Sequence, residues 1–321
     1  MLIDPFARRI AYLRLSVTDF CNYRCVYCLP DGYQGCGTSR DLTLAEIDTL
    51  VAAFAGKGTE KIRLTGGEPT LRADLPDIVA RCRRPGIKKV ALTTNGHRLA
   101  QLYPGLIAAG IDQFNISVDS FRAATFQRLT GKNSLKALLR AIDGLLGQPV
   151  KIKLNALLMR ETAEELLADT LNYIKERPLT MRFIELMRTG DNVNLYEEHH
   201  ISAAAITARL EAAGWQKRER SPLAGPALEY SHPDYAGRIG IIAPYDTSFC
   251  TRCNRLRVTA TGQLHLCLFD SINYDLRPWL QAGDVAGLQA QLQRLIAFKP
   301  EKHQLRQQNS GLIQHLAQIG G

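Results

Sequence analysis

The sequence predicts an α/β protein: a partial (β/α)6 TIM-type barrel over residues 5–226, followed by a smaller C-terminal domain over residues 227–321. Three observations predict it. Apolar strand patterns alternate six times with helical patterns between residues 12 and 186, as parallel sheets with right-handed crossovers require. The pattern then changes, with a Gly-, Pro- and Tyr-richer stretch over residues 225–240. The chain has 321 residues, enough for a large core, either one barrel of the roughly 250-residue kind or two domains. Six units are too few to close an eight-fold barrel, so an open one is expected.

Residues 12–17 read as the first strand. Leu44, Ile47, Leu50, Val51 and Phe54 then recur at helical spacing, with Thr43 and Glu46 as a capping box and Gly56 as a stop. A strand at 61–64 precedes the Gly66-Gly67-Glu68-Pro69 turn and a helix at 75–83. A strand at 89–93 ends at Asn95-Gly96 and leads to a helix at 99–109. The strand at 113–118 is followed by a helix at 134–146, that at 150–158 by a helix at 164–176, and the sixth strand spans 181–186. Beyond it, Ser202 and Gly214 bracket a helix at 202–213. Short strands are expected at 239–242, 256–259 and 263–268, the last two joined at Thr261-Gly262, and a helix at 285–298.

Within the six strands the two faces differ. Leu13, Leu15 and Val17 alternate with Arg14 and Ser16. Ile62 and Leu64 alternate with Arg63 and Thr65. Phe114, Ile116 and Val118 alternate with Asn115, Ser117 and Asp119, and Ile152 and Leu154 with Lys153 and Asn155. The apolar face must meet the helices, which leaves a polar face pointing into the barrel. A TIM barrel interior is ordinarily filled by branched apolar side chains, and a polar lining without partners is costly. The pattern therefore implies a lumen that holds water and a polar ligand. Arg14, Arg63 and Lys153 are inward cations on three strands, Thr93 ends a fourth, and Arg255 and Arg257 share one face of the strand that leaves Cys253.

The net charge is +9, but the basic residues are scattered through strand and helix patterns. No exposed basic stripe with interleaved aromatics marks a nucleic-acid surface. A small polyanion suits this distribution better. No stretch of about 18 apolar residues marks a membrane span, and residues 1–9 lack the apolar core of a signal peptide. A cytoplasmic protein is expected.

Six of the eight cysteines fall in two sets of three: Cys21-x3-Cys25-x2-Cys28, and Cys250-x2-Cys253 with Cys267 after thirteen intervening residues. Such clustering points to metal sites in a reducing interior and not to a disulfide framework. Thiolates suit iron–sulfur chemistry. Three cysteines on a four-iron cube leave one iron open to a small molecule. Zinc is the alternative for each set, but structural zinc takes four ligands at paired spacings. No regular fourth ligand accompanies either triplet, although Cys36, Cys82 or His265 are candidates to complete the second.

The first triplet is that of the radical S-adenosylmethionine (radical SAM) superfamily, and the rest of the chain narrows the resemblance. Thr65-Gly66-Gly67-Glu68-Pro69, Thr93-Thr94-Asn95-Gly96, Asn115-Ile116-Ser117-Val118-Asp119, Arg182-Phe183-Ile184-Glu185-Leu186-Met187, Cys250-x2-Cys253-Asn254-Arg255-Leu256-Arg257, Cys267 and the terminal Gly320-Gly321 resemble the GTP 3',8-cyclase family, the A proteins of molybdenum cofactor biosynthesis, over essentially the whole length. The resemblance implies a barrel of the radical SAM kind with a C-terminal iron–sulfur domain and two [4Fe–4S] clusters. Cys21, Cys25 and Cys28 would hold the cluster whose open iron binds SAM, and Cys250, Cys253 and Cys267 an auxiliary cluster facing the purine. It further implies SAM contacts at Tyr27, Gly67, Ser117 and Met187, and GTP contacts at Arg14, Arg63, Thr93, Lys153, Arg255 and Arg257. Gly320 and Gly321 would reach back into the active site. Glu68 is a candidate acceptor for the SAM amine, and Asp19 a simple turn cap.

The implied reaction is a lyase step. A radical made from SAM takes hydrogen from the ribose C3', and the new carbon radical attacks C8 to give (8S)-3',8-cyclo-7,8-dihydro-GTP, the first intermediate toward molybdopterin. Implied partners are a reducing electron donor such as flavodoxin, a cyclic pyranopterin monophosphate synthase downstream and a second copy in a homodimer, with no nucleic acid and no membrane. Two other readings share some features. A radical SAM peptide-modifying enzyme usually carries a docking segment before the barrel, whereas strand one here begins within a dozen residues of Met1. An iron–sulfur RNA-binding redox sensor would need the basic surface that is lacking.

Overall fold

Arg14, Arg63 and the residues level with them face one another because the strands that carry them lie side by side and in parallel. The computed structural model describes residues 1–35 and 41–311. The strands are β1 (Tyr12–Ser16), β2 (Lys61–Thr65), β3 (Lys89–Thr94), β4 (Gln113–Ser117), β5 (Lys151–Leu158), β6 (Thr180–Glu185), β7 (Gln216–Lys217), β8 (Leu228–Ser231), β9 (Arg238–Ile242), β10 (Arg255–Val258), β11 (Gln263–His265) and β12 (Tyr274–Asp275). The helices are α1 (Leu44–Gly56), α2 (Leu75–Cys82), α3 (Leu99–Ala108), α4 (Ala123–Thr130), α5 (Leu135–Leu145), α6 (Ala163–Ile174), α7 (Val193–His199), α8 (Ala203–Ala212), α9 (Arg277–Gln281) and α10 (Val285–Leu295).

The strands form one sheet in the order β12-β11-β10-β1-β2-β3-β4-β5-β6-β9-β8-β7. Six parallel strands, β1 to β6, follow in sequence as expected. The parallel run is longer than the sequence pattern implied, because β10 pairs in parallel with β1 and β9 in parallel with β6. Antiparallel β11 and β12 extend one side, and β8 and β7 the other. The end strands do not pair with each other, so the barrel is open. The strands after residue 227 belong to the same sheet as those before it. Periodicity alone cannot show this, since β9 and β10 are short and their partners lie far away in the chain.

Local chemistry accounts for the boundaries. The Thr43–Glu46 capping box forms: the Glu46 amide donates to Thr43 Oγ1 at 3.3 Å and the Thr43 amide to Glu46 Oε2 at 2.8 Å. Glu46 is also bound by Arg277 Nε at 3.2 Å, which ties α1 to α9. The β10–β11 hairpin turns at Thr261-Gly262, where Gly262 has φ of 85°. Helices α4, α7 and α9, and strands β7, β8 and β12, are elements the sequence pattern did not announce. Strand β12 and β7 have two residues each, too few for a visible period.

The outward face of the strands is apolar and completely buried. Leu13, Leu15, Ile62, Leu64, Phe114, Ile116 and Leu154 pack beneath the helices in the main core, each worth about 1.5–3 kcal/mol relative to exposure. Cys82 belongs to this core, and burial pushes its thiol up to about 12, so it serves as a small apolar side chain. Among the described residues no helix is long and apolar enough to cross a membrane.

Candidate functional site

The Cys21–Cys28 loop follows β1 at the carboxyl end of the parallel strands, where active sites of such barrels lie. Its backbone is docked on the end of α4: Arg24 N donates to Thr130 O at 3.2 Å and Val26 N to Leu129 O at 3.0 Å. A turn closes with Cys28 N on Cys25 O at 3.0 Å. The three thiols line one cavity together with Tyr27, Gly66, Gly67, Ser117, Asp119 and Met187. Gly66 has φ of 137°, and a Cβ there would lie 2.2 Å from Thr18 O; one on Gly67 would lie 2.4 Å from Phe20 O. Glycine is needed at both positions because the root of the cysteine loop packs directly on this turn.

Glu68 is fully buried and spends its carboxylate within the protein. It accepts from Thr70 N at 3.0 Å, Thr70 Oγ1 at 2.5 Å, Thr94 Oγ1 at 2.7 Å and Asn95 N at 2.6 Å. It is thus a strut joining the turns after β2 and β3. The turn at Thr18–Phe20 is capped by Thr18 Oγ1, which accepts from Phe20 N at 3.3 Å, and not by Asp19. Asp19 Oδ1 is buried without a hydrogen-bond partner among the described residues, and burial and then Asp41 raise its carboxyl to about 6. Tyr27 donates its hydroxyl to Asp119 Oδ2 at 2.6 Å, and Leu157 N donates to Asp119 Oδ1 at 3.0 Å. The field at these thiols is unfavourable to thiolate: burial, then Asp119 and Cys28, push Cys25 well up, and burial pushes Cys21 up, with Glu68 adding to the rise.

The second set is assembled by the hairpin. Cys250 and Cys253 close a turn ahead of β10, with Cys253 N on Cys250 O at 3.0 Å, and Cys267 follows β11. All three line a second cavity with Arg14, Arg63, Thr93, Arg255 and Arg257. Burial pushes the Cys253 thiol up, but Lys299 and Arg255 outweigh it and bring it down to about 6. Thr93, Asn155, Ile184 and Met187 line both cavities, so the two thiol sets face a common interior.

The second cavity and the basic one beside it are lined by a layer of cations in register. Arg14 is level with Arg63 on β2 and with Arg257 on β10, and Tyr12 with Lys61 and Arg255. Arg182 on β6 is held by Asn115, whose Oδ1 accepts from Arg182 Nη2 at 2.7 Å and from Gln113 Nε2 at 2.7 Å. Lys153 is ion-paired with Glu229 on β8. Burial drives four of these cations toward the neutral form, with the neighbouring cations assisting: Arg182 to about 9, Arg257 to about 10, Lys153 to about 8 and Lys61 to about 6. The Tyr12 and Thr93 hydroxyls, Arg63 Nε, Arg182 Nε and Asn155 Oδ1 are buried with no hydrogen-bond partner among the described residues. Orphaned polar atoms of this density are costly in an empty protein and suit a polar, anionic occupant.

The structure therefore brings together Cys21, Cys25, Cys28, Tyr27, Gly67, Ser117 and Met187 in one cavity, and Cys250, Cys253, Cys267, Arg14, Arg63, Thr93, Arg255 and Arg257 in the adjoining one. Lys153 lines a neighbouring basic cavity with Lys61, Arg63 and Arg182. Gly320, Gly321 and Cys36 lie outside the described residues. Sequence reading passed over Lys61, Arg182 and the Tyr27–Asp119 pair. The first two stand on the inward face of their strands, so strict alternation was the signal that would have found them.

Among the described residues no three Cys, His, Asp or Glu donors converge closely enough for a single metal ion. Each thiol triplet instead rims a cavity, which fits a larger group such as an iron–sulfur cluster.

Known proteins resemble this chain. The radical SAM superfamily profile matches residues 15–174, and the Molybdenum Cofactor Synthesis C profile matches residues 179–305. The chain is 49% identical to a GTP 3',8-cyclase of Stenotrophomonas maltophilia over 100% of this chain and 99% of that protein. It is 47% identical to those of Cronobacter sakazakii and Synechococcus elongatus at the same coverage. Among solved structures, SuiB of Streptococcus suis bound to S-adenosylmethionine superposes with a TM-score of 0.57 at 11% identity, over 89% of this chain and 66% of that one. At that identity the likeness is one of fold.

Proposed function

The chain belongs to the GTP 3',8-cyclase family of the radical SAM superfamily, which acts at the first step of molybdenum cofactor biosynthesis, and on that premise we propose which of its residues carry the reaction. SAM and a [4Fe–4S] cluster are the cofactors of the superfamily. When bound, they supply the electron and the carbon radical that the chemistry needs. Cys21, Cys25 and Cys28 hold that cluster, and Tyr27, Gly67, Ser117 and Met187 shape the SAM pocket beside it. Asp119 fixes the Tyr27 ring through its hydroxyl.

GTP occupies the adjoining cavity. Its triphosphate is matched to Arg14, Arg63, Arg255 and Arg257, with Lys153, Lys61 and Arg182 deeper in the barrel. Thr93 stands on the wall common to both cavities, where the ribose must lie if it is to meet the SAM side. Cys250, Cys253 and Cys267 hold a second [4Fe–4S] cluster against the base. Gly320 and Gly321, free of side chains, enter the lumen to position the substrate. The product is (8S)-3',8-cyclo-7,8-dihydro-GTP, which places the enzyme among the lyases. Residues 5–226 then serve SAM and residues 227–321 the auxiliary cluster. The setting is the cytoplasm, with an electron donor such as flavodoxin, a cyclic pyranopterin monophosphate synthase taking the product, and a homodimer as the working unit.

The observation that carries this reading is the common wall of Thr93, Asn155, Ile184 and Met187 between a thiol-rimmed cavity and a cationic one. The test is anaerobic reconstitution with iron and sulfide, followed by SAM with each nucleoside triphosphate in turn. GTP alone should be consumed, giving a cyclised product identified by mass spectrometry and chromatography. SAM cleavage with no nucleotide product, or equal use of ATP, would refute it.

A further inference from the structure

Lys299 follows the turn after α10 in the sequence Phe298-Lys299-Pro300, and only 3% of it is exposed. Its ammonium donates to Arg255 O at 3.3 Å and, by a short contact, to Leu266 O. Leu266 immediately precedes Cys267, and Arg255 stands two residues after Cys253. The ammonium is therefore clamped between the two strand segments that carry two of the three thiols of the second set.

No carboxylate lies within ion-pair distance of it among the described residues. Another buried cation of this region, Arg8, differs in this respect. Its guanidinium also binds carbonyls, Cys250 O at 3.0 Å, Glu301 O at 2.6 Å and Pro300 O at 2.6 Å, but Asp4 Oδ2 lies 2.5 Å from its Nε. Lys299 has two carbonyl dipoles and no ion-paired carboxylate among the described residues, although the Asp270 carboxyl feels its charge. A buried ammonium in that state is expensive, and the segments that hold it carry the thiols of Cys253 and Cys267.

We propose that Lys299 is the built-in counter-ion of the second thiol set: fixed between the segments bearing Cys253 and Cys267, its charge offsets that of a thiolate-bound iron–sulfur cluster there and raises the reduction potential of that cluster. This rests on reading the second set as a cluster site. Reduction adds one electron, taken from an external low-potential donor, and one unit of negative charge to the cluster. A fixed cation stabilises the reduced form more than the oxidised one. Lys299 acts through the thiolates and touches no reacting atom, so it is a positioning and charge-balancing residue.

The test uses the full-length protein, reconstituted anaerobically, in the background Cys21→Ala, Cys25→Ala, Cys28→Ala so that only the second cluster titrates. Iron and sulfide are counted first, and the midpoint is then read by spectroscopy during stepwise dithionite reduction. In the Lys299→Gln and Lys299→Met variants the reduced-to-oxidised ratio at the parent midpoint should fall at least tenfold, about 59 mV for one electron, whereas Lys299→Arg should stay near the parent. Loss of iron in Gln and Met with retention in Arg would also support the proposal, since charge alone then holds the site. Unchanged midpoints with full iron in Gln and Met, or equal loss of iron in all three variants, would overturn it and leave Lys299 a packing residue. Parent protein that takes up no iron–sulfur cluster would overturn the cluster reading itself, and is seen before any variant is compared.

Discussion

The two thiol triplets are chemically alike and electrostatically opposed. Cys21, Cys25 and Cys28 sit on one continuous loop, with Asp119 and Glu68 raising the thiols that burial already raises. Cys250, Cys253 and Cys267 are gathered by a hairpin, with Lys299, Arg255 and Arg8 pulling Cys253 down. A group of the same composition bound at each would experience opposite fields. Charge and hydrogen bonding around a cluster set its potential, so if the proposed clusters occupy both sites, the first should be the harder to reduce and the second the easier. On the proposed assignment the first site receives a cationic ligand, SAM, and its carboxylates suit that. The second would then stand beside a polyanion, and its arginines suit that.

The largest test of this contrast removes one set at a time. Cys21→Ala, Cys25→Ala, Cys28→Ala should leave iron and sulfide for one cluster and abolish SAM cleavage. Cys250→Ala, Cys253→Ala, Cys267→Ala should retain SAM cleavage uncoupled from GTP conversion. Iron and sulfide analysis with assays for 5'-deoxyadenosine and cyclised GTP checks both. Stoichiometric zinc without acid-labile sulfide, or identical phenotypes for the two triples, would erase the distinction.

Deleting Gly320 and Gly321 tests the space between the sites. Small misplacement of a reacting atom can cost about a hundredfold in rate, so the truncated protein should keep both clusters and GTP binding yet lose most cyclisation. Normal yields of cyclised GTP would show that the tail takes no part.

On the cationic side, Arg255→Ala or Arg257→Ala should weaken GTP binding by about 1.5–3 kcal/mol, the value of a lost charge-assisted contact, with both clusters intact. Calorimetry with GTP measures it, and unchanged affinity in both variants would return these arginines to a structural role.

Much of this was legible in the sequence because strand alternation is a two-residue rule that survives without tertiary knowledge. Arg14, Arg63, Thr93 and Asn155 stand where Leu13, Ile62 and Leu92, packed outward, force them. What failed to show depended on distant partners. Lys153 reads as a free inward cation, but Glu229 on β8, 76 residues away, neutralises it. Strands β9 and β10 read as parts of a separate domain, yet they flank β6 and β1 in the barrel sheet. Lys299 sits in a stretch that looks like any exposed turn, and only the packing of Arg255 and Leu266 around its ammonium reveals it. Glu68, taken for a ligand contact, is consumed by Thr70, Thr94 and Asn95.

The smallest expected effect concerns Lys61, beneath the cation layer. Its ordinary value is 10.5, and burial, then Arg63, Lys89 and Lys153, bring it to about 6. The folded value lies below the unfolded one, so between about pH 6 and 10.5 the unfolded chain binds more protons and stability rises with pH. The penalty is fully present below pH 6 and gone above 10.5. Lys61→Met should therefore gain stability at neutral pH, with the gain shrinking as pH rises through that window. An incoming triphosphate works in the opposite direction, because a phosphate beside Lys61 favours its charged form. Binding of GTP near pH 7 should take up close to one proton, so affinity should fall up to about tenfold per pH unit on the alkaline side. Lys153, at about 8, is already mostly charged at pH 7 and contributes less. Calorimetry in two buffers of different ionisation enthalpy measures the uptake, and Lys61→Met corrects for titration of GTP itself. Equal proton uptake in the parent and in Lys61→Met would mean that the triphosphate stops at the arginines and never reaches Lys61.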